Sequence, residues 1–152
     1  MKLTRRVFAS SAAGSAALLS VGAAAAEEGR KIHRLAIQVS EKDPAAMTLA
    51  LNNAVNAARH FTEKGQEIEI EIVAYGPGLH MLREDTSPVK DRVKSVRESL
   101  PDVTFMACGN TMENMEKAEG KKIALLPQAK IVPAGVVRLI ELQEQGWSYI
   151  RP

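Results

Sequence analysis

From residue 67 the chain alternates strictly, with Glu67, Glu69 and Glu71 on one side and Ile68, Ile70 and Ile72 on the other. Period two predicts a strand, and its glutamates predict a face that is wet at the start, as on the edge of a sheet. The run continues through Val73, Ala74 and Tyr75 and breaks at Gly76-Pro77-Gly78. Residues 35–40 form an earlier strand, where Leu35, Ile37 and Val39 alternate with Ala36 and Gln38. Residues 103–107 are a short apolar run, read as a buried strand, and residues 131–133 and 147–150 supply two more.

Between these runs the period lengthens to three and four. Asp43-Pro44 offers an N-cap and a proline at the first helical position, and Met47, Leu51, Ala54, Ala58 and Phe61 follow as one apolar stripe up to Gly65. Ser87-Pro88 opens a second helix carrying Val89, Val93, Val96 and Leu100, which Pro101 stops. Asn110 with Glu113 approximates a capping box for a third, reaching about Gly120. Residues 135–145 make a fourth, with Val136, Leu139 and Ile140. Residues 121–130 fit neither period, and Pro127 argues against regular structure there.

Strands and helices thus alternate, which predicts an α/β fold with a five-stranded, mainly parallel sheet and helices on both faces. The edge position of the second strand favours the flavodoxin-like order 2-1-3-4-5. Strands 1 and 3 are then neighbours, and the crevice between their carboxyl ends is the switch point where such folds bind ligands. Cys108 ends the third strand and so falls on it.

The first 26 residues stand apart. Thr4-Arg5-Arg6-Val7-Phe8 is a twin-arginine signature, an Ala-, Ser- and Gly-rich apolar run follows, and Ala23-Ala24-Ala25-Ala26 offers a small-residue cleavage site. The run falls short of the ~20 apolar residues that a membrane span needs. Residues 1–26 are therefore expected to be removed, leaving residues 27–152 as one domain in the periplasm with no membrane attachment. Lys2, Arg5 and Arg6 depart with the leader, so 17 basic residues face 18 acidic ones in the remainder. The basic balance of the whole chain belongs to its leader and gives no argument for nucleic acid.

Cys108 is the only cysteine. In an oxidising compartment a lone thiol is inert and buried, paired between chains, or reactive. In Cys108-Gly109-Asn110-Thr111 the sulfur stands at a helix start, where the dipole and free N–H groups favour the thiolate, and Gly109 leaves room for a second sulfur or a substrate. A small apolar filler at a strand end is the competing reading. Gly76 and Gly78 bracket a turn beside His80 that either cradles an anion or merely reverses the chain, and an edge strand would hold it away from Cys108. Asn52, Asn53 and Asn56 either line the crevice or face solvent. Met106, Met112 and Met115 cluster near the thiol in sequence, a set that suits Cu(I) or ordinary core packing. No dinucleotide fingerprint, P-loop, serine nucleophile or converging carboxylate pair is present, and no cofactor or metal is expected.

Residues 104–112 around the cysteine, Val132-Pro133-Ala134-Gly135-Val136-Val137, the closing Gln145-Gly146-Trp147-Ser148-Tyr149-Ile150, Leu51-Asn52-Asn53-Ala54 and Ala74-Tyr75-Gly76-Pro77-Gly78 together resemble the DsrE/DsrF-like family. The resemblance covers residues 32–152. It implies a flavodoxin-like, oligomeric protein that carries sulfur as a persulfide on Cys108, with Gly109, Asn110, Thr111, Asn53, Gly76 and Gly78 around the substrate. It further implies a sulfur donor and an acceptor protein or small thiol as partners, and a carrier rather than a turnover enzyme. The export signal departs from the cytoplasmic relays of that family. A non-catalytic module binding a small ligand or a protein in the envelope is the alternative.

Overall fold

The computed structural model describes residues 31–152, and the leader read in residues 1–26 lies outside them. The elements are β1 (Ile32–Val39), α1 (Pro44–Glu63), β2 (Glu67–Ala74), a 3₁₀ turn (Gly76–Leu82), α2 (Lys90–Ser99), β3 (Val103–Cys108), α3 (Gly109–Glu119), β4 (Ala129–Val132), α4 (Gly135–Glu144) and β5 (Ser148–Ile150). Local chemistry sets the ends. Asp43 Oδ1 accepts from the Ala45 N–H at 2.9 Å with Pro44 in the first turn, and α3 stops at Gly120, whose φ of 65° is left-handed.

All five strands are parallel, in the order β4-β3-β2-β1-β5. Three successive crossovers step the chain from β1 to β4 in one direction. A single long return through α4 then lays β5 against the free side of β1. Right-handed connections put helices of opposite travel on opposite faces. Accordingly Met47 and Leu51 of α1, Val93 and Val96 of α2, and Met112 and Met115 of α3 share one core with Ile37, Ile70, Ile72 and Phe105. On the other face α4 packs Leu139 and Leu142 on Ala36 and Val73, with Tyr75, Met106 and Trp147 around them.

The α/β, five-stranded, doubly covered layout is the one that the alternation predicts. The strand order is not, and 2-1-3-4-5 is corrected here. β2 is central, paired with β1 and β3. Its glutamates face the side that carries one helix instead of three, so water reaches that face without an edge. Glu67 is exposed near the strand's start, Glu69 pairs with Arg34 of β1 at 3.0 Å, and Glu71 is 3% exposed. Glu71 accepts two hydrogen bonds from Arg138 of α4, at 2.6 and 2.8 Å, which lets a carboxylate sit in the middle of a sheet. With this order the change of chain direction falls between β1 and β5. The helices that follow the neighbours β3 and β4 nevertheless leave to opposite faces, α3 to one and α4 to the other, so Cys108 does end a strand at a crevice of the expected kind, with β4 beside it instead of β1.

Residues 121–128 stay outside the sheet, joined to the rest by a bridge between Leu125 and Arg83. Arg83 is buried and takes both oxygens of Asp85 (3.0 and 2.8 Å) and of Glu119 (2.5 and 2.9 Å), tying the loop after the 3₁₀ turn to the last turn of α3. Lys121 adds a contact to Asp85 at 3.0 Å. The Arg83 hydrogen bond, ahead of every other cause, holds Glu119 down to about 2, and Arg83 with Lys121 holds Asp85 well below the usual carboxylate range. Because the folded values are depressed, this stability is present above the unfolded carboxylate value of ~4 and is lost as pH falls from there toward about 2. Denaturant midpoints followed over that acid window should fall, and Glu119→Gln should flatten the slope while lowering the midpoint at neutral pH.

Candidate functional site

Cys108 is the last residue of β3 and the residue from which α3 springs. It is 5% exposed. Residue parity along β3 aims it at the face covered by α4, as with Met106. There the first turn of α4 arrives with no side chain capping it, and α3 too begins without a side-chain cap. The orphan N–H groups of both helix starts are thus left for whatever lies between them.

The sulfur lies between them. The Thr111 hydroxyl and the backbone N–H groups of Gly135, Thr111 and Asn110 are the donors that bear on its ionisation. The Asn110 N–H is also given to Pro133 O at 3.1 Å, so the Thr111 and Gly135 donors are the freer ones. Burial pushes the thiol up. The Thr111 hydroxyl, and after it the backbone donors of Gly135, Thr111 and Asn110, outweigh burial and leave the thiol below its ordinary value. All of these groups are neutral, so the thiolate is favoured by dipoles and hydrogen bonds without a charged partner.

Glycines make this approach possible. A Cβ on Gly135 would lie 2.9 Å from Tyr75 Cβ and 3.3 Å from Cys108 Cβ. A Cβ on Gly109 would lie 3.2 Å from Val132 O and 3.4 Å from Pro133 O. Gly109 therefore lets the β3–α3 turn close onto the β4–α4 turn, and the space a side chain would take points at backbone. The turn after β2 also belongs to this site, contrary to the expectation drawn from an edge strand. Gly76, at a φ of 53°, donates its N–H to Thr111 Oγ1 at 2.9 Å. Gly78 packs onto the end of β1, where an added Cβ would be 2.2 Å from Val39 O.

Cys108, Gly109, Asn110, Thr111 and Gly76 thus come together, while Gly78 supports the turn from behind. Asn53 is half-buried on α1, nine residues and about 13 Å of helical rise from Pro44, and takes no part in the bonds around Cys108. Its neighbours bond on the surface, Asn52 accepting from Arg92 of α2 at 2.9 Å and Asn56 from Arg59 within α1 at 3.3 Å. His80 turns to Thr86 at 2.7 Å. Burial, then Lys42 and Arg83, lower its pKa. The methionine cluster does not form a Cu(I) site, because Met106 packs on the α4 face and Met112 and Met115 pack on the other. Among the described residues no three His, Cys, Asp or Glu side chains gather to hold a metal ion, and no helix is long and apolar enough to cross a membrane.

Tyr75 and Gly135 are the site residues that periodicity passes over. The sequence does hold a signal for Gly135. Ala134 stands where a helix start favours Ser, Thr, Asp or Asn, which marks N–H groups left open. Replacing Gly135 by Ala sets a fixed Cβ against two other fixed Cβ atoms. The variant should lose about 1–3 kcal/mol from overpacking. As α4 withdraws, thiol alkylation should shift to higher pH, and denaturant melts with a pH series of alkylation rates check both effects.

Residues 33–152 match the DsrE/DsrF-like family. Among solved structures, the chain is similar to a protein of unknown function, MTH1491 from Methanobacterium thermoautotrophicum, with a TM-score of 0.67 and 30% sequence identity over 79% of this chain and 99% of that one. No curated protein matches.

Proposed function

The chain belongs to the DsrE/DsrF-like family, and from that premise we propose that it is an exported sulfur carrier that holds sulfane sulfur as a persulfide on Cys108. The observation that carries the reading is a single sulfur set where two helix starts without side-chain caps converge, the start of α4 so close that a Cβ on Gly135 would lie 3.3 Å from Cys108 Cβ. A thiolate stabilised in that way needs no adjacent base, and the sequence offers none beside it.

In the loading step the Cys108 thiolate attacks the outer sulfur of thiosulfate or the terminal sulfur of a polysulfide. A new S–S bond forms, the old one breaks, and its electron pair leaves with sulfite or with the shortened polysulfide. In the unloading step an acceptor thiolate attacks the outer sulfur of Cys108–S–SH, and Cys108 departs as thiolate. No external oxidant is consumed. A lowered thiol pKa serves both directions, raising the thiolate fraction for attack and making Cys108 the better leaving group. With Cys108 the only cysteine, no second thiol in the same chain can displace the persulfide as a disulfide.

The partners are a sulfur donor and an acceptor protein or small thiol. Ile131 of β4 and Val136, Val137 and Ile140 of α4 are each about half exposed. A hollow lined by Val132, Pro133, Ala134, Val137, Arg138 and Glu141 starts beside Gly135. This apolar face supports docking of a second copy, as in a homo-oligomer, or of a partner protein. The 5% exposure of Cys108 favours one other reading, a non-catalytic binding module with an inert thiol.

Intact mass after incubation with polysulfide or thiosulfate separates the two readings. The carrier gains the mass of one sulfur and Cys108→Ser gains none. No gain on the wild type, or equal gain on the variant, counts against the carrier. Export rests on Arg5 and Arg6. Changing both to Lys should keep the protein in the cytoplasm on cell fractionation, and unchanged export would remove the twin-arginine reading.

A further inference from the structure

We infer that Thr111 is a positioning residue for the Cys108 thiolate, its oxygen held by the Gly76 N–H and its hydroxyl proton left to serve the sulfur one helical turn back. The inference rests on the carrier reading, since it says how the sulfur-accepting group is kept ready.

A threonine hydroxyl has one proton and two lone pairs. In a helix it commonly returns that proton to a carbonyl three or four residues back. Thr111 has a different neighbourhood. It stands in the first turn of α3, where Cys108 is both the residue before the helix and the owner of the nearest soft acceptor. Gly76 donates to Oγ1 at 2.9 Å from a separate part of the chain. A hydroxyl that accepts a hydrogen bond becomes a stronger donor in turn, so the Gly76 N–H, the Thr111 hydroxyl and the sulfur form a short polarised series.

The first member of that series is held by backbone packing. The Tyr75 N–H bonds Val39 O at 3.1 Å, and the Gly78 N–H returns to Tyr75 O at 3.1 Å. Gly78 lies so close to the end of β1 that a Cβ there would be 2.2 Å from Val39 O and 2.5 Å from Val39 C. Gly76 takes a left-handed φ of 53°, and Pro77 fixes the next residue. Little freedom is left for the Gly76 N–H to turn away. The glycine-bracketed turn thus cradles a hydroxyl, and through it the charge on the sulfur, without touching substrate itself.

The test compares wild type with Thr111→Val, Thr111→Ala and Thr111→Ser, each first shown to be folded by circular dichroism and denaturant melting. Iodoacetamide alkylation is followed against pH, and sulfur uptake from polysulfide by intact mass. The plateau rate reads access to the thiol, and the midpoint reads its ionisation, which a purely structural role would leave in place. Losing a hydrogen bond to a charged group should cut the thiolate fraction about tenfold at pH values below the wild-type midpoint, in both Val and Ala variants. Ser should restore the wild-type midpoint. Val and Ala variants that keep the wild-type midpoint would overturn the role of Thr111, even if the wild type takes up sulfur normally. A wild type that titrates low, responds to Thr111 as described, and takes up no sulfur would instead uphold Thr111 and remove the carrier.

Discussion

Two helix starts aimed at one sulfur atom set the terms for everything around them. Each brings orphan N–H groups and the positive end of a dipole, and neither carries a side-chain cap that would absorb them. For both to reach Cys108, the turns that precede them must pass within contact distance of one another. That demand explains Gly109 against the backbone of Val132 and Pro133, and Gly135 against Cys108 and Tyr75. It also explains why the Asn110 N–H is given to Pro133 O, a bond that fastens the two turns together.

Burial works against this charge and at the same time makes its stabilisation effective. A 5% exposed sulfur loses most of its water, which favours the neutral thiol. The same exclusion of water strengthens every remaining dipole, so a few fixed donors prevail where they would count for little on an open surface. Donors built into backbone need no rearrangement when the charge appears or moves outward onto a second sulfur. A cationic partner would have bound the thiolate more tightly and made it a poorer nucleophile. Neutral donors leave it usable.

Much of this was legible in the residues. The alternation of periods two and 3.6 places each of the nine helices and strands within a few residues of where it is found, because propensity, caps and burial agree at each. Cys108 at the junction of strand and helix was legible for the same reason. Strand order was not, because the glutamates of β2 report which face is wet and carry no information about which strand lies beside which. Glu71 shows the difficulty most plainly, since its burial depends on Arg138 arriving from the far end of the chain. The union of the Gly76 turn with Thr111 depends on β2 and β3 being neighbours, so it too was out of reach until the order was known.

The pairing of β1 with β5 has a consequence for biosynthesis. The first strand to leave the ribosome lies beside the last, with Leu35 opposite Ser148 and Ile37 opposite Ile150. Until residues 148–150 arrive, one edge of β1 stays open to any extended peptide, and Ala36 lacks the Trp147 side of its cover. Closing the sheet on this side therefore joins segments more than a hundred residues apart and carries a loop-closure cost. A three-residue strand thus decides whether β1 presents a paired flank or an open template for aggregation.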